Sequence, residues 1–480
     1  MAKRVKTEEE QAAKQVKKLF RKTFLEEKHP DKEKHAQNLS RRKISIAIIL
    51  AALPVLIQNA SGPLYVMFDS AVVGHFLGTE QLAGLNVGGS VVNAICGICV
   101  FISYLTNAQV SKAMGAGNRK GAAEYGRNGA YLAIILGLFF VAVMLVWTEN
   151  IADFFSDDPK VIHYASLYLK AASPAILGIL LTMASNGLLR GFKMFKIPMY
   201  IALAGGVLNV FLNILFVLIL KMGIFGSGLA TGIAMLSAGI VCFIIVMIKV
   251  HRENVSRKID FKGLLEPLVD SIPFLIRTLV LWFAILMMTK SVAGVGANFE
   301  AAYQVINSLW AFEEIAIEAI EIPVQTFIAE QLGAKNIEKA KFILRCALRI
   351  GFVLAGILSL FSLVISPIAP FVFTSDPTVS SLATWGLVWN AFIFFHASFA
   401  FVMDGAFVAA EDTKFMAWMC VVSALIYLPF NIVLSPLIPN SGPGMFLALA
   451  SYDVVFLGAR ALLALWRYRK DRWLKVALKA

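Results

Sequence analysis

Carboxylates recur inside otherwise apolar runs of this chain, and their spacing points to ion or proton binding. The richest run is Trp310-Ala-Phe-Glu-Glu-Ile-Ala-Ile-Glu-Ala-Ile-Glu-Ile-Pro-Val-Gln325. At about 100° per residue, Tyr303, Asn307, Trp310, Glu314, Glu318, Glu321 and Gln325 fall close to one line of a helix, with Ile315, Ile317, Ile320 and Ile322 on its other faces. A helix patterned in this way lines a water-filled cavity. Three carboxylates one turn apart repel when all are ionised, so at least one holds a proton or faces a cation. Glu313 lies off the stripe, toward a neighbouring helix. The plainer reading is a structural ion-pair face against Arg277 or Lys290.

A second candidate is Asp69, at the end of an apolar run in Val66-Met-Phe-Asp-Ser-Ala-Val-Val-Gly74. Helical spacing places Tyr65, Gly62 and Gln58 on its face. Burial lets such a carboxylate take a proton near neutral pH, whereas a helix-end carboxylate in external water does nothing of the kind. Arg277 is an expected interior counter-ion, and Lys290 snorkels outward. Asp404, in Met403-Asp-Gly-Ala406, and Asp453 are read either as hydrated or as functional. His396 fits a packing residue better than a proton relay. Cys96-Gly-Ile-Cys99 has a metal or redox spacing but lacks a second ligand pair, so no metal site is expected. Without a P-loop, an HExxH or a nucleophile motif, the chain reads as no enzyme and needs no cofactor beyond a coupling ion.

The elements that must position these residues are membrane helices. The chain has 480 residues, 58% of them hydrophobic and only 16% charged, a balance that a soluble core does not explain. Runs such as 129–147, 201–220 and 229–248 are long enough to cross about 30 Å of hydrocarbon. Spans are expected near 44–68, 85–111, 128–148, 164–186, 198–220, 226–248, 271–291, 301–331, 346–367, 380–408, 415–436 and 444–466. The first acts as an uncleaved span. The net charge of +13 punctuates the runs instead of gathering on one face, which excludes nucleic acid as a partner. Every second connection is basic, so both termini are expected in the cytoplasm, in a multi-pass protein of the cytoplasmic membrane.

The expected fold is all-α, with about twelve transmembrane helices in two pseudo-symmetric six-helix bundles. Met114-Gly-Ala-Gly-Asn-Arg119 recurs as Leu332-Gly-Ala-Lys-Asn-Ile337, and Phe155-Ser-Asp-Asp-Pro159 as Phe373-Thr-Ser-Asp-Pro377, both shifted by 218 residues (115 to 333 and 159 to 377). The expected organisation is a charged arm at 1–43, a first lobe at 44–250, a connecting loop at 251–270, a second lobe at 271–466 and a basic tail at 467–480. Parallel repeats of this kind rock about a central cleft.

The chain resembles the MATE (multidrug and toxic compound extrusion) family, and within it the DinF-like branch. The resemblance rests on Phe68-Asp-Ser-Ala-Val-Val-Gly74, Ala113-Met-Gly-Ala-Gly117, Leu189-Arg-Gly191, Phe274-Leu-Ile-Arg277, Ala301-Ala-Tyr-Gln304, Leu332-Gly-Ala334 and Met403-Asp-Gly-Ala-Phe407. It implies a two-lobed antiporter that exports organic, often cationic, compounds in exchange for H⁺ or Na⁺. The family's first-helix carboxylate maps onto Asp69, and the acidic residue of DinF-like relatives onto Glu318. Glu314, Glu321 and Pro323 depart from the pattern, and Arg277 stands where Na⁺-coupled relatives carry an acid, which favours H⁺. Coupling is assigned to Asp69, Glu314, Glu318 and Glu321. The substrate cavity is assigned to Gln58, Tyr65, Tyr303, Asn307, Trp310 and Gln325. The expected partners are small organic substrates and membrane lipids, and the expected state is a monomer. A lipid-linked-precursor flippase and a non-transporting scaffold or sensor are the rival readings; the acidic eighth span argues against the first, intramembrane carboxylates against the second.

Overall fold

The computed structural model describes residues 30–256, 258 and 261–477. The expected arm at 1–43 lies outside the described residues up to residue 29. The chain divides into two units, Met1–Ile48 and Ile49–Ala480. In the first unit the described backbone is helical from Pro30 onward; the packing and the sites described below lie in the second.

No strand occurs among the described residues. The helices are α1 (Pro30–Phe76), α2 (Thr79–Cys99), α3 (Phe101–Gly115), α4 (Arg119–Val146), α5 (Pro159–Gly191), α6 (Lys196–Asn213), α7 (Gly223–Arg252), α8 (Phe261–Ala293), α9 (Ala297–Gly333), α10 (Ile337–Ile365), α11 (Pro377–Ala409), α12 (Thr413–Leu434), α13 (Gly442–Ala450), α14 (Gly458–Arg469) and α15 (Arg472–Ala477), with short unnumbered helices at Thr148–Phe155 and Pro370–Phe373. A break at Val100 separates α2 from α3 within one span, and π-helical turns extend α6 over Ile214–Ile219 and join α13 to α14 over Ser451–Leu457. Among the described residues, 11 helices are long and apolar enough to cross a membrane. The twelfth is α9, whose 37 residues suffice in length but include the glutamate stripe. This is a multi-pass, all-α membrane protein.

The 218-residue repeat extends to local structure. Asn118 caps α4 by accepting from the Gly121 N–H, and Asn336 caps α10 by accepting from Lys339. Asp158 and Asp376 cap α5 and α11 in the same way, through the N–H groups of Lys160 and Thr378. After α5, the Met194 N–H bonds the Leu189 carbonyl; after α11, Asp412 bonds Phe407. Both closures are Schellman motifs, with Lys193 and Glu411 in the left-handed region at φ 60° and 58°.

Each lobe has its own apolar centre. In the first, Val110, Ala122, Leu188 and Val246 pack α3, α4, α5 and α7 together. In the second, Met288, Phe299, Ile306, Leu387 and Met445 join α8, α9, α11 and α13. Without a hydrophobic drive between helices in lipid, close packing needs small residues. Gly178 of α5 and Gly239 of α7 supply them, since a Cβ on either would strike the backbone of the other helix.

Candidate functional site

The first span does not end at Asp69. The apolar sequence Ala71-Val72-Val73 carries α1 on to Phe76, so the carboxylate lies two turns inside the helix and is only 4% exposed. The helix-end alternative is thereby excluded. Asn213 donates its Nδ2 to Asp69 Oδ1 at 2.6 Å, and Thr231 Oγ1 lies 3.3 Å from Oδ2. Asn209 donates in turn to Thr231 Oγ1 at 3.2 Å. All of these donors are neutral, and among the described residues no cation pairs with Asp69. The Oδ1 atoms of Asn209 and Asn213 are buried with no hydrogen-bond partner there. Tyr65, one turn before Asp69, is half-buried.

The equivalent place in the second lobe carries no acid. Asn431 corresponds to Asn213, but Met287 stands where Asp69 does, and the amide bonds Met287's backbone carbonyl at 3.4 Å and Ser291 Oγ at 2.8 Å. That lobe concentrates charge elsewhere. Asp404, read from sequence either as hydrated or as functional, is 1% exposed; one of its oxygens accepts from both Arg277 Nη2 and Arg460 Nη2. Arg277 is therefore an interior counter-ion, but Asp404 is its direct partner, not the stripe. Glu321 is buried on the neighbouring α9, tight against Gly405, where a Cβ would come 3.1 Å from Glu321 Cγ.

Glu318 lies where the lobes meet. Its Oε2 accepts from Asn59 Nδ2 of α1 at 3.1 Å and its Oε1 from the Tyr104 hydroxyl of α3 at 3.2 Å. Arg190 of α5 is only 6% exposed and donates to Gln58 Oε1 at 3.1 Å. Glu314 is half-buried on α9, one turn before Glu318.

The remaining expected cavity residues divide. Asn307 is exposed on α9. Trp310 stacks on Phe394 at 5.7 Å, an α9–α11 contact. Tyr303 packs within the second lobe's apolar centre. Gln325 is 1% exposed and donates to the Tyr104 carbonyl at 2.6 Å, so it belongs to the seam between α3 and α9. Thr326 extends that seam to Asn107 Oδ1 at 3.1 Å. Glu313 is buried with both oxygens unpartnered among the described residues. Asp453 is fully buried in the π-turn, 3.8 Å from the half-exposed His396.

Matches to known proteins follow the same duplicated plan. The MatE family model matches this chain twice, over residues 54–215 and 273–433. The chain belongs to the MatE family. The two matches start 219 residues apart (54 to 273), close to the repeat offset. Relatives of this MatE chain include DETOXIFICATION 44, chloroplastic, of Arabidopsis thaliana, 26% identical with 88% of this chain and 82% of that protein covered. DNA damage-inducible protein F of Escherichia coli is 24% identical over 88% of this chain and 92% of its own length. The Vibrio cholerae MATE transporter VcmN, in its bent form, superposes with a TM-score of 0.81 at 20% identity over 91% of this chain and 99% of its own.

Sequence reasoning about this MatE protein missed Asn59, Tyr104, Arg190, Asn213, Thr231 and Arg460. For Arg460 a signal existed, because it is the lone cation inside the run 444–466. The others are ordinary polar residues that gain meaning only from the helix they face.

Proposed function

We propose that this protein is a secondary active antiporter that exports organic cations or amphipathic compounds from the cytoplasm in exchange for H⁺. In this reading both termini are cytoplasmic, the membrane is the cytoplasmic one, and a monomer works without a cofactor. The observation that carries it is Glu318, whose carboxylate belongs to one lobe and whose hydrogen-bond donors, Asn59 and Tyr104, belong to the other. Protonation changes what that carboxylate can accept, and so acts directly on the contact that rocking must break. A cationic substrate favours the ionised carboxylates and a proton neutralises them, which supplies the negative coupling that antiport requires.

Asp69 gives the first lobe a site of its own. Its Asn213 and Thr231 partners hold it as hydrogen-bond donors, which suits a carboxylate that alternates between bare and protonated. Na⁺ is the second reading, favoured by the two unpartnered amide oxygens of Asn209 and Asn213 beside it. The test is dye efflux from proteoliposomes with H⁺ and Na⁺ gradients imposed independently, on wild type, Asp69→Asn and Glu318→Gln. Efflux driven by the pH gradient and lost in both variants supports the proposal; undiminished proton-driven efflux in both overturns it.

A further inference from the structure

The 218-residue repeat pairs four charged residues across the lobes. Lys112 of α3 meets Glu411, after α11, at 3.1 Å, and Lys193, after α5, meets Glu330 of α9 at 2.7 Å. Lys112 and Glu330 occupy equivalent positions, and so do Lys193 and Glu411 (112 to 330 and 193 to 411). The two bridges are therefore the same bridge, generated twice by the pseudo-two-fold, with its sign reversed. Both lysines lie on the first lobe and both glutamates on the second.

Two further features single out these positions. Lys193 and Glu411 are the left-handed residues of the Schellman motifs, at φ 60° and 58°, where glycine is the unstrained choice. A charged side chain is kept at both sites despite the backbone cost. Between the bridges, Gly115 lies against the Glu330 carbonyl and Gly333 against the Lys112 carbonyl, so closely that a Cβ on either would overlap the oxygen. The glycines thus bring the two backbones together, and the lysines and glutamates flank the contact.

We infer that Lys112, Lys193, Glu330 and Glu411 form a duplicated, charge-polarised latch that holds the cytoplasmic gate shut. It rests on the alternating-access reading above. Because each lobe carries one sign, the four charges attract only across the gate and cannot pair within a lobe. All four side chains are partly exposed, between 19% and 45%, and pairs of that exposure are weak and screened by salt. Such pairs suit a gate that opens in every cycle.

The test measures distance, not transport. Spin labels are placed at the exposed, equivalent positions 120 and 338 of the full chain, with the native cysteines replaced, in lipid nanodiscs. The wild type is expected to give one short, narrow distribution. Lys112→Glu with Lys193→Glu should raise the open-to-closed ratio about tenfold, and adding Glu330→Lys and Glu411→Lys should restore the narrow peak. If the double reversal does not fold, Lys112→Gln with Lys193→Gln takes its place, alongside a salt titration of the wild type from about 0.05 to 1 M, where opening should grow as the Debye length falls. Distributions indifferent to reversal or neutralisation and to salt, or a four-fold exchange that stays open, overturn the latch. Absence of proton-driven flux with a responsive latch counts against the antiport proposal alone.

Discussion

Asp404 depends on two cations at once. Arg277 and Arg460 converge on the same oxygen, in a place where Asp404 is 1% and Arg460 4% exposed. Removing one partner of a buried ion pair strands charge and typically costs about 3–5 kcal/mol. Asp404→Leu, which strands both guanidiniums, should therefore lower the thermal unfolding temperature in detergent markedly. Adding Arg460→Met should recover part of that loss, because one of the two stranded cations goes with it. An additive double mutant would show that the pair is not coupled. At this scale the sequence was partly legible. An acid or base inside an apolar run is visible from its type alone, and Asp69, Glu318 and Asp404 were found in that way. Their partners were not found, since Asn213 lies 144 residues from Asp69 and nothing local marks one asparagine among several as its ligand.

Helix ends were legible where chemistry writes them. Asn118, Asp158, Asn336 and Asp376 are cap residues by type, and the repeat in sequence became a repeat of caps and turns. The first boundary misled because a charge looked like the end of a span, whereas neutral donors on α6 and α7 let α1 continue through Asp69. The break at Val100 was not legible. The glycine seam between α3 and α9 is the element whose role is easiest to test. Replacing Gly115 or Gly333 by Val places methyl groups against the facing carbonyl, so α3 and α9 must separate, at a cost of about 1–3 kcal/mol to the closed arrangement. Either variant should show faster cross-linking or labelling of a cysteine placed at Gln331, buried in the wild type. Unchanged labelling of that site would mean that the seam does not depend on close approach. The connection between the lobes is held separately: Arg127 donates to the Ser256 carbonyl at 2.5 Å, and Asn128 to that of Gly263 at 3.2 Å. The hydrogen bond from Arg119 holds the Glu253 carboxyl below its usual range. These contacts fasten the described residues on either side of the connection to α4.

At the scale of the whole molecule, the two lobes share a backbone plan and divide the chemistry. The first keeps Asp69 among neutral donors, and the second keeps the α9 glutamates close to an Asp404 that is paired with two guanidiniums. Because the two sites draw on different partners, they should bind protons as separate sites, and a substrate that displaces protons should report both. Adding a transported organic cation to detergent-solubilised protein in weakly buffered solution near pH 7 should release protons, detectable with a pH dye. Asp69→Asn and Glu318→Gln should each reduce the release without abolishing it, and the double variant should fall close to zero. A single variant that already abolishes release, with substrate binding intact by thermal shift, would mean that one site governs the other. The duplication would then serve the gate alone, and the proton would be handled in one lobe.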